Sequence, residues 1–540
     1  MPQSQQSTDY EVLIVGGGSA GLCAGIWLAR YGIDFKILER RDGPMRQGQA
    51  DGVQCRTVEI FESFGIEGPL LREACHVLEL AFWAPSDRVG LDGGDTISKD
   101  GLNGFAKAGG RKTGGIARTH YAPDTEPGIS HMPHVILNQA RMNSIMTEEM
   151  TRSAGKDMIE YGVEVVDVSV DCEQAKEPDA YCVSVTAKRN GATEHMRAKY
   201  VLGCDGAHSI VRKSLGFKMI GDSRDAMWGV MDIYPRTNFP DIRKKVLINS
   251  EAGNMVVIPR EGDYLVRFYM EFPQYTGAAA DITLADLHEK ARLIFRPYAM
   301  EFADTTWWSA YAIGQRRADH FTASNRGMNV SLQDGYNLGW KLGAVLRGRA
   351  KPALLETYVS ERQKVATDLI DFDRHFTQLF STAYRREHGI TPEHFHEQFV
   401  KSGRYTAGQA LKYDRSAIVC LNGARDSAKR LEVGMRFPSS QVVRVCDAKA
   451  MQLVRALPSD SSWHIVVFAG DIRNAEGSAN LDQVSRTLSE ITRRLELKCL
   501  LNVFIDDHSY NSGHGHAYES YGVKPETGAV VVLRPDQCKS

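Results

Sequence analysis

Apolar residues are spaced differently along successive stretches of the chain, and the spacing predicts where strands and helices lie. Residues 12–15 form a short continuous apolar run that ends in Gly16-Gly17-Gly18, as a buried strand does before a tight turn. A helical pattern follows over 22–31, and residues 35–38 are a second apolar strand. Period-two alternation appears at 163–170, 181–187 and 195–201, predicting hairpins in a sheet beside the first domain. A second β-rich block over 226–272, with strands at 245–249, 255–258 and 264–272, is a candidate ligand wall. Residues 84–130 have no sustained period and read as a long excursion from the first domain. Residues 327–381 carry apolar positions three and four apart and predict buttressing helices. Beyond a polar connection at 384–430, strands at 463–468, 500–505 and 528–533 and a helix near 481–495 predict a small separate α/β domain.

Length and charge narrow the classes. A chain of 540 residues has room for two to four domains. With 65 basic against 67 acidic residues, the net charge of −2 provides no global field for nucleic acid or an anionic membrane. No apolar run approaches a membrane span, and the polar start Met1-Pro-Gln-Ser is neither a signal nor a transit peptide, so a soluble cytoplasmic protein is expected. Ten cysteines without a CxxC pair point to free thiols in a reducing compartment. His394-Phe-His396 and His514-Gly-His516 lack partners at metal-ligand spacing, so no metal is expected.

The first candidate chemistry is the GxGxxG spacing of Gly16, Gly18 and Gly21. A tight turn, close approach of a pyrophosphate and close helix packing each exclude a Cβ there, and the helix N-terminus presents N–H groups to the phosphates. Glu39, eighteen residues past Gly21 at the end of the second strand, is placed to bind a ribose. Arg40 and Arg41 follow it, either as a site for a further phosphate or as a solvated rim. Further on, another apolar strand delivers Asp205 and Gly206 to its carboxyl end, with Arg212 one helical turn onward.

Asp205-Gly206, so placed after a dinucleotide fingerprint, resembles the DG motif of flavoprotein hydroxylases, and further stretches make the resemblance specific. Gly48-Gln-Ala-Asp-Gly-Val-Gln-Cys-Arg-Thr57, Val135-Ile-Leu-Asn-Gln-Ala-Arg141, Ile258-Pro-Arg-Glu261, Leu265-Val-Arg-Phe-Tyr269 and Gly327-Met-Asn-Val-Ser331 resemble segments of the fungal phenol 2-monooxygenase family. These are single-component, FAD-dependent aromatic hydroxylases. The resemblance implies an α/β fold: a Rossmann-like FAD-binding domain interleaved with a β-rich substrate domain over 1–345, with a substrate sheet at 220–305. A helical region and linker would follow over 346–429, then a thioredoxin-like C-terminal α/β domain over 430–540, shorter than in the family. It further implies a homodimer, with NADPH as transient co-substrate and O2 and a small phenol as substrates. Gly16, Gly18, Gly21, Glu39, Gln49, Gln139, Asp205, Gly206, Gly327, Met328 and Asn329 would hold FAD.

Position by position, the resemblance places Asp51, Arg267 and Tyr269 around the phenolic hydroxyl. A flavin C4a-hydroperoxide attacks a phenolate faster than a phenol, so hydroxylation ortho to the hydroxyl requires removing a proton from a group that titrates near 10. A carboxylate can accept it, a tyrosine can orient the hydroxyl and an arginine can stabilise the anion. Trp228, Met255, Phe268 and Met270 could line the ring pocket or belong to the sheet core.

One family segment is absent. Arg316-Arg-Ala-Asp319-His320-Phe-Thr-Ala-Ser-Asn-Arg326 joins Gly327 directly, where the family has a central strand, a Gly-Asp motif and a proline loop. Two alternatives to an active hydroxylase therefore stay open. One is an inactive or unstable homologue with a residual dimerisation role; the other is a flavin oxidase or dehydrogenase.

Overall fold

The computed structural model describes residues 8–48, 50–86, 115–177, 179–272, 277–318, 328–380, 388–389, 392–420, 427–494, 502–507 and 513–540. The apolar run after Tyr10 becomes β1 (Thr8–Val15), whose Val12, Leu13 and Ile14 are fully buried, as befits a strand covered on both faces. α1 (Ser19–Arg30) and β2 (Phe35–Glu39) complete the predicted βαβ opening. Next come β3 (Gly52–Val53), α2 (Cys55–Phe64), α3 (Glu67–Glu73), β4 (Cys75–Val77), β5 (Glu79–Pro85), β6 (Ile116–Pro123), β7 (His134–Ile136) and α4 (Gln139–Ala154). β8 (Ile159–Tyr161), β9 (Val163–Val170), β10 (Val183–Arg189), β11 (Ala192–Gly203) and α5 (Ile210–Ser214) follow.

The first sheet runs β8-β2-β1-β11-β10-β9, with β1 parallel to both β2 and β11. The predicted hairpins therefore extend the nucleotide sheet and do not form one beside it. β11 is long enough to serve both: Ala192–Ala198 pair with β10, while Met196–Gly203 run along β1. Among the described residues, no strand pairs with the other side of β11 from Tyr200 to Gly203. The Asp319 and His320 positions lie outside the described residues.

The second sheet takes β12 (Met219–Thr237), β13 (Lys245–Ser250), β14 (Gly253–Pro259), β15 (Val266–Phe272) and β16 (Met300–Ala318), with β5 and β6 on the far edge. The end of the supposedly structureless excursion is thus a strand, because Ile116–Pro123 finds an antiparallel partner in β5. One face, carrying Trp83, Met231, Val257, Phe268 and Met270, packs on α6 (Leu284–Ile294) through Leu287, Ala291 and Ile294. The other carries Asp232, Arg267 and Tyr269.

α7 (Met328–Leu346) lies against α1. Gly335 and Gly339 let the helices meet, since a Cβ at either would press into Ala20 or Trp27. α8 (Glu356–Phe380) supplies Glu361, which is buried between Lys341 Nζ of α7 at 2.8 Å and Arg534 Nη1 at 2.6 Å. Asp536 holds the other side of Arg534.

The C-terminal unit contains β17 (Gln441–Arg444), β18 (Lys449–Gln452), β19 (His464–Phe468), the helix Ala475–Arg494, β20 (Phe504–Ile505) and β21 (Ala529–Leu533). Its strands divide between two small sheets, β18-β17-β20 and β19-β21, because β20 pairs with the earlier β17 hairpin. Among the described residues, no helix is long and apolar enough to cross a membrane.

Candidate active site

The glycine turn is built for close approach. Gly16 has φ +104, and a Cβ there would press into the backbone of Cys204 and Asp205. Gly18 caps α1 with no side-chain hydrogen bond and nothing near its Cβ position, so the first turn of α1 presents its N–H groups to an anion. Gly21 packs on Gly16 O. The buried Glu39 carboxylate accepts from Gly17 N–H at 2.7 Å and from the Arg41 guanidinium at 3.0 and 3.1 Å, so Arg41 orients the acid.

Across the turn, Asp205 Oδ2 accepts from Ile210 N–H at 2.6 Å, while Oδ1 is buried without a hydrogen-bond partner. Gly206 follows at φ +79. Gln139 Nε2 lies 3.5 Å from Ser19 Oγ, at the α1 N-terminus. Asn138 Oδ1 accepts from Gly48 N–H at 3.2 Å. Asn329 braces the far side: Oδ1 accepts from Gln54 N–H and Thr57 Oγ1, and Nδ2 donates to Gly52 O at 2.8 Å. Met328 is buried in the core beneath. Gln49 and Gly327 lie outside the described residues. An open helix N-terminus, glycines that a Cβ would block and an orphaned carboxylate oxygen fit a dinucleotide such as FAD.

Asp51, the residue before β3, meets Arg267 and Tyr269 of β15. Asp51 O accepts from Leu137 N–H at 2.9 Å, which ties it to the strand leading into Gln139. Its Oδ2 lies 3.3 Å from Arg267 Nη1 and 3.5 Å from Arg260 Nη1, yet has no hydrogen-bond partner. Arg267 Nη1 in turn donates to Tyr269 Oη at 3.3 Å, leaving the tyrosine proton to point elsewhere. Trp307 lies 5.0 Å beneath the Arg267 guanidinium. Burial raises the Asp51 carboxyl above its ordinary range, against the pull of both arginines. Burial, reinforced by Asp51, also pushes the Tyr269 phenol up.

Asp232 and Arg260 are central residues that the sequence reading assigned no role. Asp232 grips Arg267 at two points, 2.6 Å to Nε and 2.7 Å to Nη2, and takes Arg260 Nη1 at 3.0 Å. Arg260 also holds Glu261 at 2.8 and 3.0 Å. Three carboxylates thus face two guanidiniums, which explains why Asp51 is the acid whose charge is least supported. An isolated acid between Met231 and Ile233, within an apolar run, was the available signal for Asp232. Of the four candidate ring-lining residues, Phe268, Met270 and Met255 belong to the opposite, α6-covered face. Trp228 shares the face of Tyr269, as its register opposite Glu271 requires. That face carries a second polar cluster at β13: Lys245 Nζ lies 2.6 Å from Asp124, which also takes His134 Nδ1 at 2.8 Å.

The family described as FAD binding domain matches residues 9–326 and 320–373, more than half of the chain. The chain belongs to the FAD-dependent monooxygenases. The phenol hydroxylase C-terminal dimerisation domain matches residues 411–499 and 490–538. Each match comes in two pieces that overlap on the chain, at 320–326 and 490–499.

The FAD-dependent monooxygenase terD of Aspergillus terreus is 44% identical over 596 residues, covering 98% of this chain and 93% of that protein. The 3-hydroxybenzoate 4-monooxygenase of Comamonas testosteroni is 39% identical, over 89% of this chain and 77% of that one. The phenol 2-monooxygenase fsqG of Aspergillus fumigatus is 33% identical, over 99% and 93%. In fold, this monooxygenase resembles OxyS anhydrotetracycline hydroxylase from Streptomyces rimosus, with TM-score 0.67 at 20% identity over 98% and 95% of the chains. It equally resembles the flavin-dependent monooxygenase PieE in complex with FAD and substrate, with TM-score 0.67 at 18% identity and the same coverage.

Proposed function

We propose that this monooxygenase hydroxylates a small phenolic substrate ortho to its hydroxyl, with NADPH as reductant and O2 as oxidant, and that it works as a cytoplasmic homodimer. FAD, when bound, supplies the oxygen activation. Gly16, Gly18, Gly21, Glu39, Gln139, Asp205, Gly206, Met328 and Asn329 are the described residues that would hold it. The observation that carries the reading is the buried Asp51 Oδ2, charge-paired but unbonded beside Tyr269 and Arg267. A phenolic hydroxyl placed there donates to Asp51, whose raised basicity suits it to take the proton. Tyr269 orients the hydroxyl oxygen through its own O–H, and Arg267 stabilises the phenolate. Asp232 fixes the Arg267 fork and partly neutralises it, so the arginine does not strip Asp51 of its basicity. The names of the curated relatives and the dimerisation-domain match support the substrate class and the homodimer. The nine described cysteines are all free thiols, which suits a reducing compartment.

A second reading, a catalytically silent homologue, draws on the overlap at 320–326 and on the side of β11 with which no described strand pairs. The visible spectrum of the freshly purified protein separates the two. Flavin bands that co-elute with the chain, followed by NADPH-dependent conversion of a phenol to its ortho-diphenol, are the expected result. Absence of retained flavin after incubation with FAD, or NADPH oxidation without hydroxylated product, would overturn the hydroxylase reading.

A further inference from the structure

The helix Ala475–Arg494 is twenty residues long, yet from Ser478 to Arg493 none of its described side chains is buried. Leu481, Val484, Leu488 and Ile491 nevertheless repeat at three and four, an apolar stripe along one side, with Leu481 37% and Ile491 42% exposed. Helices in folded proteins draw most of their stability from packing such a stripe, not from propensity. The stripe therefore needs a surface.

Among the described residues, a matching surface lies bare on the same domain. β19 and β21 turn Val466, Phe468, Val531 and Leu533 into the domain core. Their register then puts Ile465 beside Val532 and Val467 beside Val530 on the outer face. Ile465, Val530 and Val532 are exposed, and Trp463 extends the patch. A helix stripe and a β-branched sheet face are the two halves of an ordinary helix-on-sheet layer.

One feature keeps the halves apart within one chain. The turn that launches the helix is pinned: Gly470 N–H donates to Tyr518 Oη at 2.9 Å, Asp471 N–H to Pro525 O at 3.0 Å, and Asn474 Oδ1 accepts from Gly477 N–H at 2.7 Å. The helix and its return to β20 lie within the stretch matched to a dimerisation domain, whose two pieces meet at 490–499. An element held off its own domain can be exchanged between copies.

We propose that two copies of this chain exchange the helix Ala475–Arg494, each laying its Leu481–Val484–Leu488–Ile491 stripe across the outer face of the other copy's β19-β21 sheet. The inference rests on the homodimer reading above and names the element that makes it.

The test uses the full chain with Cys172, Cys420, Cys446 and Cys499 changed to Ser. Chains bearing Ile465→Cys alone and Leu488→Cys alone are co-expressed under different tags and treated with a short bis-maleimide. The expected result is a cross-link between the two tagged chains, together with a dimer mass by light scattering. Leu488→Asp with Ile491→Asp should raise the dimer dissociation constant more than tenfold, whereas Asp482→Lys on the polar side should leave it unchanged. A dimer with no link between the singles, but a link within one chain carrying both cysteines, would overturn the exchange while sparing the homodimer. A monomer by light scattering would overturn both.

Discussion

Replacing Asp51 with Asn removes the group on which the proposed proton transfer turns while keeping its volume. In the intact cluster Asp51, Asp232 and Glu261 face Arg260 and Arg267, leaving one negative charge in excess in a buried site. The side chain of Asp51 is only 5% exposed, and its oxygen nearest the arginines makes no hydrogen bond. Its folded pKa therefore lies above the unfolded value near 3.9. For an acid displaced in this direction the folded state holds the proton more tightly. Stability is greatest below the unfolded pKa, falls as pH rises to the folded pKa, and stays lowered above it, by about 1.4 kcal/mol for each tenfold gain in proton affinity on folding. Asp51→Asn removes that penalty, so the variant should melt at a higher temperature than the parent at pH 7 and at the same temperature at low pH. Turnover should move the other way. Loss of a positioned base costs roughly 10²- to 10⁴-fold, and the surviving rate should rise with pH toward the pKa of the free phenol, about 10. Product formation and NADPH oxidation, measured by chromatography and absorbance from pH 5 to 9 and paired with calorimetry, check both. A variant with unchanged turnover and pH profile would refute the assignment of Asp51 as the proton acceptor.

Asp232→Ala strands the guanidiniums of Arg267 and Arg260 and should destabilise the protein by about 3–5 kcal/mol in denaturant titration, the cost of breaking a buried ion pair from one side. Gly335→Ala drives a Cβ into Ala20 O in the first turn of α1, so the flavin retained on purification should fall, with about 1–3 kcal/mol lost to overpacking. Glu361→Gln leaves Lys341 and Arg534 short of a charge, and limited proteolysis should then release the C-terminal unit. Although burial opposes it, Arg534 and Lys341 hold the Glu361 pKa below its usual value, so its stabilisation is complete above about pH 4.3 and is lost as pH falls through the folded value. The variant should lack that part of the acid-unfolding slope.

The elements set by local pattern were legible in the sequence. The β1-turn-α1 unit, Glu39 and the Asp205-Gly206 strand end all stand where spacing alone puts them, because each depends on residues close in the chain. Pairing between distant strands was not. The hairpins at 163–201 alternate equally well whether they extend one sheet or start another, and only the length of β11 decides it. The choice left open for Phe268 and Met270, ring pocket or sheet core, could have been closed from the sequence: once Arg267 and Tyr269 face the ligand, the intervening residues must face away into the core. Asp232 was harder. Its partners are Arg267 of β15 and Arg260 just past β14, and a lone acid in a strand takes its meaning only from what the fold sets opposite it.

The Glu361 to Arg534 contact spans 173 positions of sequence. Translation at roughly 5–20 residues per second separates the emergence of those two residues by about 9–35 s. Throughout that interval α8 carries a carboxylate destined for a dry interior, beside Lys341 but without the arginine that completes its neutralisation. The nucleotide domain therefore cannot finish its core until Arg534 has been made. Vectorial synthesis thus makes the C-terminal unit a clasp on the half of the protein that binds the cofactor, and slowing translation between residues 361 and 534 should prolong the protease-sensitive state of the nascent chain.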